Sequence, residues 1–105
     1  MTCANERYAL DLCLIEDCVH GSAQAWAELV SRHELDVFYA LRNAFRVHHV
    51  HATEDLLSEL QAEIFFRLVR NDFRRLRKFD GRCSLKHWLK VVSSNFVIDY
   101  LRKKR

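Results

Sequence analysis

From Phe66 onward the chain carries thirteen Lys and Arg against only Asp72, Asp80 and Asp99, a net charge of +10. Met1 to Phe65 has the opposite balance, four Arg against eleven acids, a net of −7. The overall charge of +3 hides this division. Cations at such density suit a polyanion whose phosphates they neutralise, and the acidic part suits a basic protein surface. Residues with finer chemistry stand among the cations. Arg82 and Ser84 offer donors and acceptors beside the Asp80-Gly81 turn, and Lys86, His87 and Lys90 follow. Trp88, Asn95 and Arg102 recur every seven residues, near one stripe of a helix, with Asp99 beside it. Asn95 presents both a donor and an acceptor, the pairing that base edges require. Arg102-Lys103-Lys104-Arg105 adds phosphate-binding charge. Arg67, Arg70, Arg74, Arg75, Arg77 and Lys78 form a further cluster, whose stems serve equally well to cover apolar surface. Each feature also has an ordinary structural use: Trp88 as core, Asp99 as ion-pair partner of Arg102 or Lys103, Asn95 in a structural hydrogen bond, residues 79–84 as a plain turn.

Other chemistry has no foothold. His48, His49 and His51, and the group Cys13, Cys18 and His20, lack the spacing of a structural zinc site. No nucleophile–base pairing and no phosphate-cradling glycine loop is visible, so neither enzymatic activity nor a cofactor or metal is expected. The cysteines Cys3, Cys13, Cys18 and Cys83 have helical, apolar flanks, no basic-then-apolar leader opens the chain, and no apolar run approaches about 18 residues. These features predict a cytoplasmic protein with reduced thiols and no membrane insertion.

The elements that position these residues are read from period and punctuation. There is no Pro, and the two glycines are Gly21 and Gly81. The expectation is therefore an all-α fold, a compact bundle of about four helices forming one domain over residues 1–105. The first helix runs from Tyr8 to Val19 and stops at His20-Gly21. Ser22 caps the second, Ala23 to Arg46, with the stripe Trp26, Leu29, Val30, Val37, Leu41 and Phe45. Thr53 caps the third, Glu54 to Arg77, whose apolar face includes Leu57, Leu60, Ile64, Phe65, Leu68, Phe73 and Leu76. Ser84 caps the fourth, from Leu85 onward, with Leu85, Trp88, Leu89, Val92, Phe96 and Tyr100 on one side. Trp26, Trp88, Tyr39 and the seven Phe supply bulk for the core. Glu54, Asp55, Glu59 and Glu63 set carboxylates along successive turns of the third helix, a solvated face that also suits the helix dipole.

The ordered set Glu63-Ile64-Phe65-Phe66-Arg67-Leu68, Lys78-Phe79-Asp80-Gly81, Leu85-Lys86-His87-Trp88-Leu89, Asn95 and Ile98-Asp99-Tyr100-Leu101-Arg102 resembles the second conserved region of extracytoplasmic-function sigma factors. Asp11-Leu12, Gly21-Ser22, Ala25-Trp26 and Leu29 are similar to that family's opening helices, and Ala62 stands where its glutamine is usual. The resemblance implies a transcription-initiation domain. Glu54, Asp55, Glu59, Leu60, Glu63 and Phe66 would bind the β′ clamp helices of the RNA polymerase core. The loop 79–84 would hold a base flipped out of the non-template strand of the −10 promoter element, and Arg82, Ser84, Lys86, His87, Lys90, Asn95, Arg102, Lys103 and Arg105 would contact the DNA. The N-terminus of the last helix would favour a phosphate. The family's helix-turn-helix domain is not expected within residues 1–105. The alternative is a helical interaction module that binds polymerase, or an anti-sigma factor, without reading DNA.

Overall fold

The computed structural model describes residues 8–104, which form four α-helices and one 3-10 turn with no strand among them. The helices are α1 (Ala9–Val19), α2 (Ala23–Val47), α3 (Glu54–Phe73) and α4 (Leu85–Lys103), and the turn Leu76–Lys78 lies between α3 and α4. The fold is the expected compact all-α bundle. The expected caps form: the side chains of Ser22, Thr53 and Ser84 accept from the amides of Ala25, Leu56 and His87 at 3.0, 3.1 and 3.0 Å. Each satisfies a donor that the first helical turn leaves unpaired. Gly21 ends α1 in the left-handed region at φ +96°.

The long α2 is the centre of the molecule, packed against α1, α3 and α4. Its Leu29, Val37 and Leu41 are fully buried, and so are Leu68 of α3, Leu76 of the turn, and Leu85, Leu89 and Val97 of α4. Aromatic rings meet edge to face around this core, Trp26 with Phe65 at 6.1 Å, Phe45 with Tyr100 at 5.9 Å and Phe79 with Trp88 at 5.7 Å. Such pairs add to the burial of their area. No helix among the described residues is long and apolar enough to cross a membrane.

Three expectations need correction. The third helix does not run straight to Arg77. Arg70 turns to ψ 146°, and Asn71, Asp72 and Phe73 follow with φ of 58°, 59° and 60°. Asn and Asp accept the left-handed region more readily than other non-glycine residues, so the chain breaks where two of them adjoin. Arg77 secures the break, its Nε donating to the Asp72 carbonyl at 2.8 Å and its Nη2 to the Asp72 carboxylate at 3.3 Å. The buried face of α4 is rotated from the expected one: Leu85, Leu89, Ser93 and Val97 lie at its centre, while Trp88, Val92, Phe96 and Tyr100 are half-buried at its edge. Ser93 is tolerated there because its hydroxyl donates to the Leu89 carbonyl at 2.8 Å. Tyr39 is no core residue; it is 56% exposed.

Candidate nucleic-acid interface

The start of α4 is fixed from α1. Asp11 accepts from the Leu85 amide at 2.9 Å, while Ser84 accepts from His87. A carboxylate thus already occupies the positive end of the helix dipole, where a phosphate was expected. Ser84 is committed to its cap, so its hydroxyl is a positioning group more than a ligand. The loop before it has a sealed side and an open side. Phe79 is buried, and Gly81 sits at φ +80° with Leu12 so close that an added Cβ would lie 2.6 Å from Leu12 Cδ1. The positive φ favours glycine there, and a larger residue would also have to displace the Leu12 side chain. On the open side Asp80 accepts from the Arg82 amide at 3.1 Å and pairs with Arg82 Nε at 3.2 Å. Arg82 stands out from this turn with 87% of its side chain exposed.

Along α4 the candidate residues separate into three places. His87, Lys90 and Asn95 come together in an open groove of about 480 Å³ between α4 and α2, with Tyr39, Ala40, Asn43, Val91 and Ser94 completing its lining. Asn95 also reaches a narrower cleft of about 140 Å³ toward α3, where Arg67, Arg75, Phe96 and Asp99 meet. There the Arg67 guanidinium lies 4.7 Å from the centre of the Phe96 ring and 2.9 Å from the Glu63 carboxylate. This cleft shares Arg67 and Arg75 with a concavity of about 280 Å³ at the broken end of α3, lined by Arg70, Asn71, Arg74 and Lys78 as well, with no carboxylate. Arg102 and Lys103 lie at the far end of α4. Arg102 is 3.9 Å from Asp99 and lines a separate hollow with His48, Val50, Ile98 and Leu101. Arg105 lies outside the described residues. A helix of 19 residues is about 28 Å long, so these candidates form a track and not one pocket.

The charge division of the sequence is softened in space. Lys86 pairs with Asp36 of α2 at 3.7 Å, and Asp36 also faces the buried His33 at 3.1 Å. Arg67, Arg82 and Arg102 each have a carboxylate within reach, whereas Arg70, Arg74, Arg75, Lys78, Lys90 and Lys103 form no ion pair among the described residues. Exposed pairs contribute only about 0–1 kcal/mol, so a phosphate can compete for the paired cations too.

Along α3, Glu54, Asp55 and Glu59 are exposed and unpaired among the described residues, and Phe66 is 55% exposed. Glu63 is half-buried and held by Arg67. Leu60 is 6% exposed and belongs to the core, so it is unavailable as a docking anchor. Its place three residues after Leu57 and four before Ile64 puts it on the inward stripe. Cys18 is buried, and burial, followed by the Asp17 and Glu28 carboxylates, raises its thiol pKa above the usual value, which makes it an inert core group.

Sequence reasoning missed Tyr39 and Asn43. Their signal was present: with Arg46 they fall at spacings of four and three, on the side of α2 away from Val37, Leu41 and Phe45. No protein-family model, curated protein or solved structure matches the chain.

Proposed function

We propose that this chain is a transcription-initiation domain of the sigma-factor kind, which binds the RNA polymerase core through the acidic face of α3 and captures unpaired bases of the −10 element along α4. The observation that carries the reading is the shared groove of His87, Lys90 and Asn95, residues quoted in the family resemblance or adjoining it, beside unpaired cations suited to phosphate. Phosphates of the strand would lie along Lys90 and the concavity of Arg70, Arg74, Arg75 and Lys78. Base edges would meet Asn95 and His87. Capture of a base that is free only in the open duplex shifts the duplex–open equilibrium toward opening. The protein supplies no covalent chemistry, and in this reading it works in the cytoplasm.

The exposed run Asp55, Glu59 and Phe66 supports the protein-facing half of the reading. Charge would speed the encounter, and Phe66 would add the apolar contact that Leu60 cannot. The same run supports the alternative of an interaction module that binds polymerase or an anti-sigma factor without reading DNA.

Fluorescence anisotropy of non-template oligonucleotides, with and without polymerase core, tests the choice. Arg82→Ala combined with Asn95→Ala should reduce discrimination among strands more than it reduces core binding. Equal loss of both counts against the DNA-facing assignment, and core binding without any strand binding selects the interaction module.

A further inference from the structure

Tyr39 has more than half its surface exposed, and its ring meets Phe38 only edge to face, with centroids 5.6 Å apart at 86°. It lines the groove that also holds Asn43 from α2 and His87, Lys90 and Asn95 from α4. The groove contains no carboxylate. The adjacent acid on α2, Asp36, is held by Lys86 and faces His33. The Asn43 carbonyl oxygen accepts from Arg46 Nη2 at 3.3 Å, which leaves its amide hydrogens free to donate. One aromatic platform, two carboxamides, an imidazole and an unpaired ammonium therefore share one opening. Its volume of about 480 Å³ is of the order of a small-ligand site, roughly 300–1,000 Å³. A flat, polar-edged, anion-linked group satisfies all of these at once, and an unstacked nucleotide is such a group. A purely apolar peptide would leave the carboxamides and the ammonium without partners.

We infer that this groove seats one unstacked base of a single nucleic-acid strand, with the base on the Tyr39 ring, Asn43 and Asn95 at its edge, and Lys90 at the adjoining phosphate. The inference rests on the reading that α4 faces an unpaired strand, and it adds α2 as the second wall of the site. Selectivity at this position then depends on Asn43 and Asn95, while stacking on Tyr39 tolerates any base.

The test uses the full chain at low salt with short homopolymeric single strands, intact or carrying one abasic site. Tyr39→Ala should weaken binding roughly 5- to 150-fold, the range for losing one base–aromatic stack, and Tyr39→Trp should retain it. An abasic site at the seated position should weaken the wild type more than it weakens Tyr39→Ala, because both changes remove the stack while the abasic site also removes the edge that Asn43 and Asn95 meet. Asn43→Ala should change the preference among the homopolymers. Wild-type affinity in Tyr39→Ala with an unchanged melting curve overturns the groove and leaves the wider reading standing. Failure of the wild type to bind any strand, even with polymerase core, sinks both.

Discussion

The two ends of α3 differ in every respect that local chemistry controls. The start is regular, capped by Thr53 and acidic, with Glu54, Asp55 and Glu59 exposed. The end is broken, passes through three left-handed residues and gathers Arg67, Arg70, Arg74, Arg75 and Lys78 around one concavity. Acids at the start and cations at the end both suit the helix dipole, worth about 0.3–1 kcal/mol apiece within the first and last turns. That accounts for Glu54, Asp55 and Arg70. It does not account for Glu59, a turn further in, or for Arg74, Arg75 and Lys78, which lie beyond the break. The charges in excess of what the helix needs are the ones to assign to partners.

The largest expected effect comes from those excess cations. Replacing Arg74, Arg75 and Lys78 together by Ser should lower single-strand affinity at low salt roughly 10- to 100-fold and flatten the salt dependence by about two phosphates' worth of counterion release. Replacing Glu54, Asp55 and Glu59 by Gln should leave strand affinity equal or slightly higher while weakening the polymerase complex. Salt titrations of oligonucleotide anisotropy on both triple variants check the pair. If the two variants lose strand binding equally, the ends of α3 do not face different partners.

A smaller effect sharpens the regular end. Thr53→Ala removes the side-chain acceptor of the Leu56 amide and should reduce stability by about 1 kcal/mol in urea unfolding. Glu59→Gln in the same assay should stay within about 0.5 kcal/mol, as for a surface site that makes no structural contact. A larger loss for Glu59→Gln would make it part of the fold and remove it from the partner-facing set.

What the sequence disclosed follows the same contrast. The starts of α2, α3 and α4 were legible because a cap is a local event: Ser22, Thr53 and Ser84 each act within three residues. The end of α3 was not, because Val69, Phe73 and Leu76 keep a helical period through the break, and the preference of Asn71 and Asp72 for the left-handed region is weak beside it. The site divided likewise. His87, Lys90 and Asn95 could be chosen by type and by position on one helix. For Tyr39 and Asn43 the spacing gave only an outward place on α2; that this part of α2 adjoins α4 is decided by tertiary packing. Leu60 was misassigned by giving the acids around it more weight than its own inward spacing.

The smallest effect has the most informative sign. In a continuous helix, Asn71→Ala would raise stability by several tenths of a kcal/mol, because Ala is the better helix former. At φ 58° the same substitution places a methyl where an L-residue other than Gly, Asn or Asp is disfavoured, and should lower stability by roughly 0.5–1 kcal/mol. Asn71→Gly should be close to neutral, since glycine relieves the backbone while gaining entropy in the unfolded chain. Denaturation of the three proteins therefore reports the break directly. Destabilisation by Ala with tolerance of Gly keeps Arg74, Arg75 and Lys78 off the axis of α3 and gathered at its end. Stabilisation by Ala would straighten the helix, spread those cations around its circumference and dissolve the concavity that distinguishes this end from the other.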